Sequence, residues 1–396
     1  MHDMSGFDYD IEDVAHLLRL NKRRGNYYDC PFCQDTKGKL NINPAKNVFR
    51  CNRCDMSGGM LKLYAELHNV TLSEANREIR EALNKGEYRE VYQAQKEARR
   101  QQEPKQSELA SIEVRDHTYS ELLQLLSLND SHRENLRKRG LTEEQMEERR
   151  YRSVPLFGVH SLTERLLEKG CTLEGVPGFY QSEDGIWTAN FKARNSGILI
   201  PVESMEGKIQ GFQIRLDHVR EEAKYIWFSS SWYEKGTTSG SPVHVIGNLD
   251  AETIYLTEGG LKGTIAHYLT GDTFICVPGV NQYQNVEPIL ETLRNRNLKY
   301  LYEAYDMDKK MKTVCNRHYS KCSICTYAPV PTICPYKLKK REIIQNGCER
   351  IYQICKKLSI PVSRMVWDLD ENGEWKGNIK GIDDYYYDAK MKKEKS

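Results

Sequence analysis

Apolar positions recur with two different periods along the chain, and the longer period predicts which segments are helices. Residues 7–20 place apolar side chains three and four positions apart behind Asp10, a suitable N-cap, and this spacing predicts a short leading helix. Residues 117–154 contain two more helical patterns, which are divided near Asn129 and again at Gly140. This second region is locally basic, a pattern that fits either a solvated helix face or contact with nucleic acid.

A period of two, which is typical of strands, begins near Gly185. Residues 196–202 and 208–217 alternate around a turn at Glu206, and residues 224–231 follow as a third strand. Because short connections join neighbouring antiparallel strands, we expect these three segments to pair side by side.

From Thr253 onward, apolar runs alternate with helical patterns, which is the order of elements in a parallel βαβ sheet. The predicted strand, helix, strand, helix and strand cover Thr253–Thr257, Leu261–Leu269, Thr273–Pro278, Tyr283–Asn297 and Lys299–Tyr305. The fold class is accordingly α/β in this region and α+β for the chain as a whole.

Three carboxylates lie where two of these predicted strands end. Glu258 follows the first strand, and Asp306 and Asp308 follow the last one. Ligands collect at the carboxyl ends of strands in an open α/β sheet, and hard carboxylate oxygens suit Mg2+ or Mn2+ ions that carry phosphates. Glu258 is either a ligand of such an ion or a general acid or base. Three acids at exposed loop edges, without a function, are the alternative.

Composition narrows the class of protein without identifying it. The chain has 396 residues and a formal charge of +2, so two or three domains are expected and any nucleic-acid surface has to be a local basic patch. No apolar leader follows Met1 and no apolar run is long enough to span a bilayer, so a cytoplasmic location without membrane contact is expected. In a reducing compartment, the 12 cysteines suit metal binding better than disulfides.

Two Cys-x-x-Cys pairs near the N-terminus predict a zinc site. Seventeen residues separate the two pairs, a spacing at which two knuckles joined by a hairpin close a tetrahedral thiolate site. The predicted zinc ligands are Cys30, Cys33, Cys51 and Cys54. Because four protein ligands leave no open position, this zinc is structural, and the function of the domain lies on its surface.

The surface around the predicted zinc site combines cations with aromatic rings. Lysines and arginines, among them Lys39 and Arg50, are interleaved with tyrosines and phenylalanines. This mixture suits the backbone and the bases of single-stranded nucleic acid. Packing of a small core is the alternative for Phe32 and Phe49.

Residues 30–67, with the helical segment 72–83 after them, resemble the zinc-binding domain of bacterial and phage DnaG-type DNA primases. In that family a Gly-Gly turn after the last cysteine leads into a helix, as Gly58 and Gly59 do here. Cys33 occupies the position where bacterial members usually carry histidine, and both residue types bind zinc.

The segment from Ile254 to Lys310 is similar to a TOPRIM domain, the fold that DnaG-type primases share with topoisomerases and some nucleases. Its hallmarks are a glutamate followed by glycine after the first strand, here Glu258, and an Asp-x-Asp after a later strand, here Asp306 and Asp308. The primase pattern tends to have an acid four residues after the glutamate. This chain has Lys262 there, as in TOPRIM-like domains of mobile-element primases.

These resemblances imply a DNA primase of the kind carried by phages, plasmids and mobile elements. Such an enzyme synthesises short RNA primers on single-stranded DNA from ribonucleoside triphosphates, with Mg2+ or Mn2+, and a replicative helicase is expected as a partner in trans. The implied contacts to nucleotide phosphates or template are Arg215, Lys224 and Lys262, with Ser229 or Ser230 nearby. The implied further magnesium ligands are Asp383 and Asp384, with Asp368 and Asp370 as weaker candidates.

The expected domain order is a zinc-ribbon domain at 1–83, a polar linker at 84–112, a basic subdomain at 113–250 and a TOPRIM-like catalytic domain at 251–396. The last domain contains a cysteine-rich insertion at 311–340. Its soft ligands suit a second zinc or an iron–sulfur cluster, with free thiols as the alternative; they are Cys315, Cys322, Cys325 and Cys334. The remaining cysteines are expected to pack in cores; they are Cys171, Cys276, Cys348 and Cys355.

Two other functions fit the same residues. A TOPRIM nuclease would use the three acids for hydrolysis. A non-catalytic zinc-ribbon protein would bind single strands and carry a degraded TOPRIM platform. The cations Arg215 and Lys224 favour polymerisation, because a triphosphate needs positive charge opposite the acidic metal site.

Overall fold

The computed structural model describes residues 7, 9–83, 104–220, 223–320, 322, 325 and 331–394. Contacts divide the chain into two compact units, Met1–Pro104 and Lys105–Ser396. Both units contain helices and strands, so the predicted mixed fold class is confirmed. Within the described ranges, no helix combines the length and the apolar character that crossing a membrane requires.

The first unit is built on a five-stranded antiparallel sheet whose strands pair in chain order. The strands are β1 (Lys22–Arg24), β2 (Tyr27–Cys30), β3 (Asp35–Asn43), β4 (Val48–Cys51) and β5 (Ser57–Gly59). The helices are α1 (Ile11–Leu17), α2 (Met60–His68) and α3 (Leu72–Leu83). One core joins the sheet to all three helices, and its buried side chains include Ile11, Leu40, Leu63 and Ile79.

The leading helix α1 forms where the apolar spacing predicts it, but it is shorter. The Asp10 carboxylate accepts hydrogen bonds from the backbone N–H groups of Glu12 and Asp13, and the Asp13 carboxylate accepts one from Asp10 N–H. This reciprocal capping sets the start of the helix. Arg19 lies in the left-handed region with a φ of 51°, which ends the helix before Leu20.

The second unit begins with helices and an antiparallel sheet. The helices are α4 (Ile112–Gln124), α5 (Asp130–Arg137), α6 (Glu143–Glu148) and α7 (Val159–Glu168). A short hairpin consists of β7 (Phe179–Gln181) and β8 (Trp187–Ala189). The sheet consists of β6 (Arg152–Ser153), β9 (Gly197–Glu203), β10 (Ile209–Arg220) and β11 (Ala223–Trp227), in the order β11-β10-β9-β6. The predicted three-stranded pairing is therefore present, with β6 added at one edge.

A five-stranded, mostly parallel sheet forms the rest of the second unit. Its strands are β12 (His244–Ile246), β13 (Thr253–Glu258), β14 (Thr273–Val277), β15 (Tyr300–Glu303) and β16 (Val362–Arg364), in the order β12-β14-β13-β15-β16. The helices are α8 (Gly260–Thr270), α9 (Val286–Arg296), α10 (Pro335–Lys357) and α11 (Ile382–Glu394). Only β12 runs antiparallel to its neighbour. The predicted βαβαβ order is confirmed, and both edge strands were missed.

This topology brings the predicted acids to one edge of the sheet. Strands β13 and β15 are parallel neighbours, with Thr253 opposite Tyr300 and Leu256 opposite Glu303. The residues that follow the two strands therefore emerge side by side. The apolar stretches form the strands because they are buried on both faces, as a parallel sheet requires.

Two glycines permit close packing around this edge. A side chain at Gly263 would meet the Cys276 sulfur at 2.1 Å, so α8 lies against β14 only because residue 263 has none. Gly140 has a φ of 94°, and a side chain there would lie 3.0 Å from the ring of Tyr387. The loop between α5 and α6 is thus held against α11.

Residues 84–103 of the predicted linker, which spans 84–112, lie outside the described residues. Its last part is bound to the second unit. Ser107 N–H donates to the Gly236 carbonyl, Ala110 N–H donates to the Gly175 carbonyl, and Lys235 N–H donates to the Lys105 carbonyl. Residues 105–110 therefore belong to the second unit.

Candidate active site

The acidic cluster is assembled from the ends of two strands and the start of a helix. Glu258 is the last residue of β13, Asp306 and Asp308 lie in and beside the 3-10 turn Met307–Lys310 after β15, and Asp383 lies in the first turn of α11. Asp306, Asp308 and Asp383 are buried, with exposed fractions of 3%, 5% and 4%. The structure thus brings together the three predicted catalytic acids and one of the two C-terminal candidates.

Lys262 lies among these carboxylates. Its Nζ atom is 2.5 Å from Asp306 Oδ1 and 3.6 Å from Glu258 Oε1. Burial alone would lower the pKa of Lys262, but the negative charges of Glu258, Asp306 and Asp383 outweigh it and raise the pKa. Lys262 is therefore a fixed positive charge inside the cluster.

The two neighbouring carboxyls Glu258 and Asp306 titrate differently. Burial and the charge of Asp306 raise the pKa of Glu258 to about 7, and Lys262 opposes this only in part. Burial would also raise the pKa of Asp306, but Lys262 lowers it. When no metal is bound, Glu258 is therefore the carboxyl that retains a proton near neutral pH, and Asp306 is the anion.

Two further lysines contact Asp308 from outside. Lys340 Nζ on α10 is 2.5 Å from Asp308 Oδ2, and Lys380 Nζ is 3.0 Å from the same atom and 3.5 Å from Asp306 Oδ2. Their side chains are 41% and 47% exposed, whereas that of Lys262 is 21% exposed. Lys340 and Lys380 can turn outward to solvent or to a phosphate without leaving the fold.

Asp383 and Asp384 differ although they are adjacent in the sequence. Asp383 Oδ2 accepts a hydrogen bond of 3.1 Å from Arg139 Nη1, while its Oδ1 is buried and has no hydrogen-bond partner in the described part of the chain. Burial and the charge of Asp384 raise the pKa of Asp383. Asp384 is exposed and accepts from the backbone N–H of Gly381. Only Asp383 faces the cluster.

The weaker candidates Asp368 and Asp370 stabilise a loop instead. Asp368 accepts hydrogen bonds from the backbone N–H groups of Asn378 and Ile379, and Asp370 accepts from Glu374 N–H and pairs with Lys312. Their oxygens are used within the loop. The main cluster offers the hard carboxylate oxygens that Mg2+ or Mn2+ prefers, and one of them, on Asp383, is buried and unpartnered in the described part of the chain. The described acids do not, however, form a group of three ligand oxygens within 4.8 Å of one another, and Lys262 and Lys380 lie among them.

A group of cations faces the acids within the same unit. Arg139, Arg215, Lys262 and Lys380 are close enough to Lys224 that, after burial, their positive charges lower its pKa. Arg215 Nη1 donates to Asn135 Oδ1 at 3.0 Å, so α5 positions this arginine. The predicted cations Arg215 and Lys224 therefore lie near the predicted acids.

The two candidate serines hold a loop together. Ser230 is fully buried, and its Oγ accepts hydrogen bonds from the backbone N–H groups of Gly178 and Thr237. Ser229 Oγ donates to the Thr237 carbonyl at 3.3 Å. Neither hydroxyl is presented to a ligand in this arrangement.

The four predicted zinc ligands meet in the first unit. Each sulfur lies within 4.8 Å of the other three, and the pairs Cys30–Cys54 and Cys33–Cys51 are both 3.8 Å apart. A tetrahedral zinc with Zn–S bonds of about 2.3 Å separates its sulfurs by about 3.8 Å. The site fits zinc, and its closed set of four thiols makes it structural.

The predicted nucleic-acid surface beside the zinc site divides into two kinds of residue. Lys39 is exposed on β3, whereas Arg50 pairs with Asp55 at 2.6 Å and is only partly exposed. Phe49 is 2% exposed and stacks on Phe32 with ring centres 5.7 Å apart. Packing therefore accounts for Phe49, and Lys39 is the more accessible cation.

The cysteines of the insertion do not gather in the same way. An isolated antiparallel β-bridge pairs Val314 with Ile333, so Cys315 and Cys334 lie on neighbouring backbone segments. Among the described residues, however, only the N-terminal four cysteines form a group of sulfurs within 4.8 Å of one another. A second zinc or an iron–sulfur cluster at Cys315, Cys322, Cys325 and Cys334 remains a prediction. The other four cysteines are buried, as predicted; they are Cys171, Cys276, Cys348 and Cys355.

Several residues that shape the site were missed from the sequence. The Glu303 carboxylate is fully buried; Oε1 accepts from Lys309 Nζ at 2.7 Å and from Tyr305 N–H at 2.9 Å, and Oε2 accepts from Arg364 Nε at 2.8 Å. One carboxylate thus clamps both ends of the turn that carries Asp306 and Asp308. Its sequence signal is a lone acid inside an apolar strand.

His244 supports the other side of the site. Its Nδ1 accepts from Glu203 N–H at 3.0 Å, and its Nε2 is 3.2 Å from Thr264 Oγ, which donates to the Gly260 carbonyl. Burial, followed by the charge of Arg149, lowers the pKa of His244 to about 3, so the ring is neutral. This neutral histidine holds the start of α8, directly after Glu258.

Comparison with known proteins identifies the N-terminal region. Residues 7–95 match the family model of the CHC2 zinc finger, the zinc ribbon of DnaG. The resemblance to the DnaG zinc ribbon that was drawn from the cysteines of this segment is therefore confirmed.

A curated DNA primase from Staphylococcus epidermidis is 24% identical over 225 residues, which cover 55% of this chain and 36% of the relative. The chain thus spans about a third of the length of that relative. Among solved structures, the zinc-binding and RNA polymerase domains of the Aquifex aeolicus primase give a TM-score of 0.48 at 15% identity, covering 98% of this chain and 82% of that one. A DnaG primase catalytic domain bound to single-stranded DNA gives 0.38 at 13% identity, covering 70% and 80%.

Proposed function

We propose that this chain is a DNA primase, which joins ribonucleotides into short RNA primers on a single-stranded DNA template. The observation that carries the proposal is the meeting of Glu258, Asp306 and Asp308 at one edge of a parallel sheet, with Arg215 and Lys224 facing them. A DnaG-type zinc ribbon in the same chain gives this phosphate chemistry a nucleic-acid context.

The acidic edge would hold Mg2+ or Mn2+ through Asp306, Asp308 and the free oxygen of Asp383. When bound, such an ion polarises the attacked phosphoryl group and neutralises the charge that builds up on the pyrophosphate. Glu258 is the carboxyl best placed to hold a proton near neutral pH, which suits a general acid or base. Nucleotidyl transfer is the reaction class that uses both features.

The cations of the second unit would bind the triphosphate and the template. Arg139 pairs with Asp383, whereas Arg215 donates to Asn135 and Lys224 is exposed. Arg215 and Lys224 are therefore the cations best placed to meet a phosphate. Positive charge fixed opposite a metal site positions a triphosphate for in-line attack. This arrangement supports synthesis over hydrolysis, for which no triphosphate has to be held.

The first unit would contact the template. Its zinc has no open coordination position, so the contribution of the ribbon comes from exposed cations such as Lys39. Ribonucleoside triphosphates and single-stranded DNA are accordingly the proposed ligands of the whole chain.

The test is primer synthesis by the full chain on single-stranded DNA with labelled ribonucleotides and Mg2+. We expect product from the wild type and none from Asp306→Asn or Asp308→Asn, while Asp184→Asn, in an exposed turn, serves as the matched control. Product that persists in both aspartate variants would refute the assigned site. Strand cleavage without synthesis would identify a nuclease, and salt-sensitive binding without either activity would identify a single-strand binder.

A further inference from the structure

Lys262 has an unusual position for a lysine in a phosphate-handling site. It lies in the first turn of α8, four residues after Glu258, and its ammonium group contacts Asp306 and Glu258. The charge of Asp383 acts on it as well. Carboxylates from three different elements therefore surround one ammonium group, and a phosphate would have to approach it past these acids.

The side chain of Lys262 is less exposed than those of the two outer lysines: 21%, against 41% for Lys340 and 47% for Lys380. Helix α8 itself is pressed onto β14 at Gly263 and Cys276. Lys262 thus differs from Lys340 and Lys380, whose exposed side chains can leave Asp308 when another cation arrives.

The position of the ammonium group limits what else the acids can bind. A divalent ion that bridges Glu258 and Asp306 would have to occupy the space that Lys262 Nζ fills. In two-metal sites the ions lie about 3.5–4 Å apart and share bridging carboxylates. An ammonium group in contact with the bridging acid repels an ion at that position and takes its share of the negative charge.

We propose that Lys262 is a built-in cation that takes the place of one divalent ion, so that the acidic cluster binds a single Mg2+ or Mn2+. The inference deepens the proposed function and rests on it for the identity of the site. Asp306, Asp308 and Asp383 would hold the single ion. Lys262 then supplies permanently, at Glu258 and Asp306, the positive charge that a second ion would bring.

The test is the number of Mn2+ ions bound by the full chain, measured by electron paramagnetic resonance and by calorimetry without nucleotide or template. The zinc of the ribbon is silent in the first measurement. We expect about one Mn2+ equivalent for the wild type and for Lys262→Arg, and about two for Lys262→Met, which keeps the length of the side chain but removes the charge. Lys224→Met is the matched control, because it removes the same charge nearby without freeing a carboxylate, and it should remain at about one.

Two equivalents in the wild type would overturn the proposal, as would a single equivalent in a Lys262→Met protein whose near-ultraviolet circular dichroism matches the wild type. An equal gain of bound Mn2+ in Lys224→Met and Lys262→Met would also overturn it, since loss of any nearby positive charge would then explain the extra ion. The count of bound ions does not depend on primer synthesis. An inactive protein with one equivalent would therefore refute the proposed function and leave the role of Lys262 standing.

Discussion

The four-cysteine site and the acidic cluster of this protein are built on opposite plans. The four zinc ligands come in two local pairs at the ends of hairpin strands, and the sulfurs already stand at the spacing that zinc requires. The acidic cluster draws Glu258, Asp306 and Asp383 from distant parts of the chain, and lysines neutralise it. Thiolates around zinc form a closed site that stabilises a small fold, whereas buried carboxylates need compensating cations and remain open to a ligand.

The largest expected effect is the loss of the zinc. Cys51→Ser, or removal of zinc by a chelator, should unfold the first unit, because binding of a structural zinc contributes on the order of 10 kcal/mol to small domains. Limited proteolysis should then digest residues up to about 104 and leave the second unit intact. Cys171→Ser, in the core of the second unit, is the control and should leave the first unit resistant. If the first unit stayed folded and protease-resistant without zinc, the prediction that zinc stabilises its fold would be wrong.

The next effect concerns the clamp beneath the acidic cluster. Glu303→Gln leaves the fully buried Lys309 without its anion, and breaking a buried pair in this way costs about 3–5 kcal/mol. Urea unfolding of the second unit would measure the loss. Glu252→Gln removes an acid from the exposed pair with Lys299 and should have a far smaller effect. Equal losses in the two variants would show that burial gives the clamp no special weight.

The contrast between the centres also explains what the sequence could predict. Cys30, Cys33, Cys51 and Cys54 are recognisable because their spacing is local and their chemistry is narrow. The meeting of Glu258, Asp306 and Asp308 at one sheet edge was predictable because each of them lies at or just after the end of an apolar strand. The clamp of Glu303 and Lys309 was not, since an ion pair inside a core depends on which distant side chains become buried together. Arg139, Lys340 and Lys380 were missed for the same reason: each reaches the site from a separate helix or loop.

A smaller effect should appear as a dependence on pH. Because the buried His244 has a folded pKa of about 3, below that of an ordinary histidine, the unfolded chain takes up a proton that the folded chain does not. Its contribution to stability is complete above about pH 6.5 and is lost as the pH falls toward 3, a loss of about 2 kcal/mol between pH 7 and pH 5. His244→Gln, which cannot be protonated, should lose less stability over that interval than the wild type in urea unfolding. The exposed His218→Gln should lose as much as the wild type; identical losses for His244→Gln would show that this histidine does not set the acid limit.

The smallest expected effect tests whether the closed centre works through its surface. Lys39 is exposed on the strand that ends beside the zinc site, so Lys39→Ala should remove about one phosphate contact and lower the salt slope of single-stranded DNA binding by about 0.7. Binding titrations at several salt concentrations measure that slope directly. Lys299→Ala, an exposed lysine in the second unit that pairs with Glu252, is the charge-matched control and should leave it unchanged. If both variants change the slope equally, the protein binds DNA through its general charge. If only Lys39→Ala does so, the zinc centre acts as a scaffold whose outer face makes the contact, while the acidic centre acts through the ligands it holds inside.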